Sequence, residues 1–258
     1  MPSMKTKIIS FSIQKGGSGK STSAATIGAI LAAEGQKVLL VDLDPQASLT
    51  QGLGIEAEGA SIAEVLGGSK RGTLKLADII QPIKENLDLA PSDIRLASSE
   101  LGLVSRYARE NILKQALAEQ AELYDLIIID SPPSLGILTI NALAASDFVI
   151  IPSLPSPPDL RGVRLFLATL KDLQENGLND NLKLLGILLV QFDGRTIAHK
   201  QALEDLKGEG LDVLGIIPKG IKVQESSGAQ KLLIDYDPNG KPTAAYFEAA
   251  ERIKQCLK

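Results

Sequence analysis

The chain has 258 residues, 44% hydrophobic and 22% charged, which is enough apolar material for one large buried core. Its 27 Lys and Arg against 31 Asp and Glu give a net charge of −4, so binding to an anionic polymer would require a local basic patch. One cysteine, Cys256, and one histidine, His199, exclude an internal disulfide, a structural zinc site and an iron–sulfur cluster, because each needs more such ligands.

Lys7 to Ile13 is a β-branched run that reads as a first strand. Gln14 and Lys15 interrupt it, so no secretory leader is expected, and no apolar stretch approaches the ~20 residues of a membrane span. Gly16, Gly17 and Gly19 break the strand, Thr22 to Ala33 is Ala-rich and helix-favouring, Gly35 stops that helix, and Val38 to Val41 is a second strand. This is a βαβ unit, and its crossover predicts parallel strands. Ala47 to Pro91, with Gly52, Gly54, Gly59, Gly67, Gly68 and Gly72, reads as loop-rich with short helices such as Ser61 to Leu66. Ile94 to Gln120 is helical in composition, and Leu126 to Asp130 is an aliphatic strand stopped by Pro132 and Pro133. Phe148 to Ile151, Leu184 to Val190 and Val213 to Ile217 are further strands, each separated by a helical segment. Strands alternating with helices predict a doubly wound, mostly parallel α/β sheet covered on both faces. No repeat or long linker divides the chain, so a single domain over residues 1–258 is expected.

The segment Lys15-Gly16-Gly17-Ser18-Gly19-Lys20-Ser21-Thr22 lies between a strand and a helix, as a phosphate-binding loop requires. Its glycines let backbone N–H groups turn toward phosphate oxygens, and the helix N-terminus adds favourable partial charge. Lys20 would reach the β- and γ-phosphates of ATP, and the Ser21 hydroxyl would ligate Mg²⁺. The second strand ends Val41-Asp42-Leu43-Asp44-Pro45, where a side-chain period of two places Asp42 and Asp44 on one side if the chain is still extended. On its own this stretch reads as a turn and helix cap. The four aliphatic residues before Asp130 have the form of a Walker B strand, which delivers one carboxylate toward Mg²⁺.

The general pattern G-x-x-x-x-G-K-[ST] would need glycine where Gln14 stands, and a second lysine, Lys15, precedes the glycines. In this the loop resembles the deviant Walker A box of the ParA and MinD superfamily. The resemblance implies that Lys15 crosses a dimer interface to the partner's nucleotide. Val41 to Ser48 looks like that family's switch I, which implies that Asp44 positions the attacking water while Asp42 supports the Mg²⁺ shell. Leu126 to Pro133 is similar to switch II, which makes Asp130 a metal-shell residue acting through water. Gln191-Phe192-Asp193-Gly194-Arg195-Thr196 and Ile217-Pro218-Lys219-Gly220-Ile221-Lys222 resemble two further partition-ATPase segments. There the strand end and the Ile-Pro turn border the adenine, which points to Gln191, Phe192 and Pro218.

Arg195 and Lys222 match positions that face duplex DNA in the nucleotide-bound dimer; Lys219 lies beside them, and Lys200, Lys207 and Lys231 would widen the patch. Family members commonly carry Arg-Asn where this chain has Lys219-Gly220, and arginine in place of Lys222, and lysine keeps the charge without the planar fork. The proline-rich Ser153 to Pro158 carries no assigned role.

The absence of cluster cysteines sets aside the iron–sulfur relatives, and the absence of a C-terminal tyrosine cluster sets aside the tyrosine kinases. Tyr246 to Lys258 has Phe247, Ala250, Ile253 and Leu257 at helical spacing, but Glu248 and Glu251 dilute its charge, so it reads as a packed terminal helix. His199 and Cys256 read as surface and filler residues. The expectation is a ParA/Soj-type ATPase without an N-terminal DNA-reading domain. It would be a weak, partner-stimulated ATP hydrolase using Lys15, Lys20 and Asp44, closed by ATP and Mg²⁺ into a homodimer that binds nonspecific double-stranded DNA. A ParB-like or other adaptor would stimulate hydrolysis, and the protein would be cytoplasmic and nucleoid-associated, positioning a plasmid, a chromosome or a protein compartment. A MinD-like membrane-associated ATPase, or an ATP-dependent ligase built on the same loop, is the alternative.

Overall fold

The computed structural model describes residues 6–57, 59–67 and 74–258; the readings made on Met1 to Lys5, Gly68 and Gly72 lie outside them. Eight strands form one sheet: β1 Lys7–Phe11, β2 Val38–Asp42, β3 Gln81–Lys84, β4 Leu87–Ala90, β5 Leu126–Asp130, β6 Phe148–Ser153, β7 Lys183–Phe192 and β8 Val213–Pro218. Their order is β3-β4-β2-β5-β1-β6-β7-β8, with every pair parallel except β3 and β4. The doubly wound α/β expectation therefore holds. β1 lies at the centre, and the chain runs from it to β2 on one side and later to β6 on the other. Ligands in such sheets bind beyond the carboxyl ends of the strands flanking this reversal.

The antiparallel hairpin of β3 and β4 stands where the sequence reads as loop. Pro82 and Asn86 break the apolar alternation, yet both suit their places: Pro82 is on an edge strand, and Asn86 takes a left-handed turn at φ 60. The expected helix from Ile94 to Gln120 is divided into Arg95–Leu103 and Ile112–Ala118, with Ala108 left-handed at φ 50 between them. Asn141 on the neighbouring helix Ile137–Ala145 explains the break. Its side chain donates to the Arg109 carbonyl at 2.8 Å and accepts from the Leu113 N–H at 3.0 Å, supplying partners that a continuous helix would have found within itself.

Both faces of the sheet are covered. Ile9, Phe11, Leu40, Ile128, Ile150 and Leu188 pack on one face against helix Lys20–Ala33 and helix Lys241–Cys256. The alternate residues Leu39, Ile127 and Ile129, together with Val149, Ile151 and Leu189, pack on the other. Each such buried side chain contributes about 1.5–3 kcal/mol. Helix Lys20–Ala33 is buried nearly all round, and Gly28 lets it sit close to β2, since a Cβ there would lie 2.7 Å from Leu40 Cδ2. The glycine loop is thereby fixed between a central strand and a helix embedded in the core. The terminal helix packs as expected through Ala250, Ile253 and Leu257, joined by Tyr246 and Ala249, but Phe247, read on the same face, is exposed. Cys256 is exposed and not the half-buried filler expected, because it falls on the solvent side of that helix. Among the described residues no helix is long and apolar enough to cross a membrane.

Candidate functional site

A cavity of about 580 Å³ opens at the carboxyl ends of the strands and is lined by every residue from Gly16 to Thr22, with Asp44, Pro133, Gln191, Pro218 and Lys219. Gly17 and Gly19 adopt φ 71 and 80, a left-handed region that side-chain-bearing residues rarely enter. A Cβ on Gly16 or Gly17 would meet nothing within 4 Å, so the loop's concave side is open for a ligand to approach the backbone. Lys20 is buried, and its Nζ donates to the Lys15 carbonyl at 2.9 Å, which holds the ammonium over the loop. Burial lowers its pKa, with Asp130 and Asp44 opposing.

Lys15, the second lysine, is not directed into this cavity. It forms an ion pair at 2.6 Å with Asp159, whose side chain is only 4% exposed. Asp159 sits in the first turn of helix Pro157–Glu175, where Ser156 caps the helix and its hydroxyl donates to the Asp159 carboxylate. Asp159 directly follows the proline-rich segment Ser153 to Pro158, to which the sequence assigned no role, and Ser156 of that segment braces it.

Asp42 and Asp130 are register neighbours at the ends of β2 and β5, and both are fully buried. Asp42 is hydrogen-bonded throughout: Oδ2 accepts from the Thr50 N–H at 2.9 Å and the Thr50 hydroxyl at 2.7 Å, and Oδ1 accepts from the Asp44 N–H at 3.1 Å. Burial pushes its pKa up to about 6 against these bonds. Both oxygens of Asp130, in contrast, lack a hydrogen-bond partner. Burial raises its pKa well above the usual carboxylate value and the charge of Asp42 adds to the rise, while Ser21 and Lys20 of the facing loop act in the opposite sense. An orphaned buried carboxylate beside a serine hydroxyl and a lysine fits a Mg²⁺ ion with its waters, and the open glycine cradle fits the phosphates that would accompany it. Ser21 and Asp130 would hold such an ion, while Asp42 is hydrogen-bonded to Thr50 and to the Asp44 N–H.

The strand ends at Asp42, so Asp44 reaches the cavity through a turn and not by strand alternation. Its Oδ1 accepts from the Gln46 N–H at 2.9 Å, and its carbonyl accepts from the Ser92 hydroxyl at 2.8 Å. The Ser92 N–H donates to Thr50 Oγ1 at 3.0 Å, closing a loop of bonds through Asp42, Thr50, Ser92 and Asp44. Sequence reading missed Thr50, Ser92 and Asp159. Only Asp159 had a local signal, its spacing from Ser156 matching a helix cap.

Gln191, at φ 54, and Pro218 line the cavity, but Phe192 does not. Its ring packs against His199 with centroids 5.7 Å apart, because the left-handed Gln191 interrupts the alternation of β7 and leaves Phe192 on the face of Leu189 and not on that of Val190. His199 accepts at Nδ1 from the Asp193 N–H at 2.9 Å, so the only histidine braces the turn after β7. Lys219 lines the cavity rim, whereas Arg195 and Lys222 stand outside it at the starts of helices Ile197–Gly208 and Ile221–Gly228.

A family described as an AAA domain matches residues 6–184. The sporulation initiation inhibitor protein Soj of Bacillus subtilis is 40% identical, with 96% of this chain and 98% of that one covered. The chromosome-partitioning ATPase Soj of Thermus thermophilus is 36% identical, with 96% of each covered. Among solved structures, cobyrinic acid a,c-diamide synthase from Mycobacterium smegmatis with a bound ATP analogue and magnesium is 38% identical at a TM-score of 0.82, covering 95% of this chain and 93% of that one. Because the likeness runs the length of both chains and is not confined to the glycine loop, the protein belongs to the ParA/Soj family of partition ATPases, within the ParA/MinD superfamily, and hydrolyses ATP with ATP and Mg²⁺ as its cofactors.

Proposed function

We propose that the chain is a nucleotide-gated DNA-binding switch that positions a cargo. The observation that carries this reading is the double use of helix Ile221–Gly228. Its Val223, Gln224, Ser226 and Ser227 wall the nucleotide cavity, while Lys222 at its start lies outside the cavity, three residues after the cavity-lining Lys219. A change in what fills the cavity bears directly on the element that presents the cations. Contacts from such side chains to phosphates would be sequence-independent and salt-sensitive.

In this reading the loop N–H groups and Lys20 hold the triphosphate, Ser21 binds Mg²⁺ directly, and Asp130 binds it through water. The metal supplies charge neutralisation across the phosphates. Asp44 orients the attacking water, and Asp42 holds Asp44 and Thr50 in place. Lys15 leaves Asp159 for the nucleotide of a second copy, so two chains close around two nucleotides. Among the described residues no arginine lines the cavity, which favours slow turnover until an adaptor of the ParB kind completes the site. Gln191 and Pro218 border the base. The protein would act in the cytoplasm on the nucleoid.

The test is retention on nonspecific duplex DNA with no nucleotide, ADP or a slowly hydrolysed ATP analogue, each at low and high salt. Retention only with the triphosphate, falling steeply with salt, is expected. ATP-dependent retention on anionic vesicles in its place would favour the MinD-like reading. ATP consumption coupled to a metabolite, without dimerisation, would favour a ligase such as the one the Mycobacterium smegmatis structure is named for.

A further inference from the structure

The two cations that position assigns to the DNA face are already ion-paired within the chain. Arg195 is 92% exposed and meets Asp193 in a fork, Nε to Oδ1 at 3.0 Å and Nη2 to Oδ2 at 2.9 Å. Lys222 Nζ lies 3.0 Å from Asp237 Oδ1. Lys219, between them in sequence, makes no ion pair with any described residue.

Neither acid owes its position to its cation. The N–H of Asp193 is bound by His199 Nδ1 at 2.9 Å, and its carbonyl accepts from the Thr196 N–H at 3.0 Å. Asp237 donates its N–H to the Leu233 carbonyl at 2.9 Å, and its own carbonyl accepts from the Gly240 N–H at 3.0 Å and the Thr243 hydroxyl at 2.7 Å. Its side chain is only 15% exposed, and Thr243 belongs to the terminal helix packed on β8. Both carboxylates are thus held by the fold beside the cations, whether or not the cations use them.

We propose that Asp193 and Asp237 are built-in competitors of DNA phosphates that set the affinity of the basic face so that one copy alone does not hold DNA. This rests on the DNA-binding reading above. Exposed ion pairs are weak, so a duplex carrying one charge per ~1.7 Å can displace them. Each displacement nevertheless leaves a carboxylate facing phosphate and lowers the affinity of that copy. Two copies joined around nucleotide engage the same duplex with the advantage of multivalency and exceed the threshold that a single copy does not. The acids thereby keep a single copy below the threshold of DNA occupancy while the joined pair stays above it.

The experiment measures nonspecific duplex binding by fluorescence anisotropy with ADP and with a slowly hydrolysed ATP analogue over a salt series. It compares the unmodified protein with Asp193→Asn, Asp237→Asn, the double variant, Arg195→Ala, and Asp193→Asn combined with Arg195→Ala. Asparagine keeps the oxygen that accepts from the Arg195 N–H at 2.9 Å, so the turn after β7 is preserved, and the two sites are independent should one variant fold poorly. Each single acid variant is expected to tighten triphosphate-state binding about three- to tenfold and to steepen the slope of log K against log salt by about 0.9. The double variant should bind detectably with ADP. The gain from Asp193→Asn should vanish when Arg195 is absent. Unchanged or weakened binding by both acid variants, with the unmodified protein still binding DNA with triphosphate, would overturn the proposal and leave the DNA reading standing. No binding by any protein in any state would remove the DNA reading and this proposal together.

Discussion

Lys15 and Asp159 are joined at 2.6 Å across 144 positions of sequence, tying the glycine loop to the first turn of the helix that follows β6. A lysine that is to serve a second copy's nucleotide must first leave this buried acid. Asp159→Asn removes the charge and keeps the cap to Ser156, so nucleotide-dependent dimerisation should occur at protein concentrations about three- to tenfold lower. Sedimentation across a concentration series with ATP measures this. An unchanged midpoint would mean the pair does not compete with dimerisation.

Asp44 makes one side-chain hydrogen bond, to the Gln46 N–H, and otherwise faces the cavity. Asp44→Ala should retain ATP and lose hydrolysis by about 10²- to 10⁴-fold, the range for removing a group that handles a reacting water. Single-turnover ATP cleavage alongside nucleotide binding separates the two effects. Loss of ATP binding would make Asp44 a structural residue of the turn.

Asp130 is a buried carboxylate with both oxygens unpartnered, which costs stability until a metal shell meets it. Asp130→Asn should raise the stability of the nucleotide-free protein by about 1–3 kcal/mol while abolishing the stabilisation conferred by ATP and Mg²⁺. Chelating Mg²⁺ from the unmodified protein should likewise cancel that stabilisation. Melting curves with and without Mg²⁺ and ATP test it, and a variant still stabilised by the pair as before would place the metal elsewhere.

Thr50 donates its hydroxyl to Asp42 and accepts the Ser92 N–H, joining the strand end to the turn that carries Asp44. Thr50→Val orphans a buried N–H and should cost about 1–3 kcal/mol in denaturant unfolding, with a fall in turnover because Asp44 loses its support through Ser92. Thr50→Ser should recover most of both. Recovery of stability without turnover would show that the network does not serve Asp44.

The parts of the site that sequence made legible are those written in contiguous residues. Gly16 to Thr22 announce their conformation through glycines between a strand and a helix, and Asp130 is announced by the aliphatic run before it. Asp42 and Asp130 could be named singly, but their adjacency depends on β2 pairing with β5, a relation no local pattern contains. Thr50 and Ser92 act through partners in other segments, so nothing in their own neighbourhoods marks them, and the cap spacing of Asp159 from Ser156 marks a helix start but not its pairing with Lys15. The same holds for the fold. The β3–β4 hairpin was hidden by Pro82 and Asn86, and the helix broken near Ala108 yields to Asn141 on another element. Phe192 was assigned with Gln191 by resemblance to the family's strand end, but Gln191 at φ 54 interrupts the alternation of β7 and leaves Phe192 on the face of Leu189 and not on that of Val190.

In the proposed cycle nucleotide, dimer and DNA binding are one event. The most direct measurement is the mass of ATP-loaded Asp44→Ala protein on a short nonspecific duplex, by analytical ultracentrifugation with ADP in the parallel cell. Two copies on the duplex with ATP and free single copies with ADP are expected. Single copies on DNA, or equal binding with either nucleotide, would contradict it.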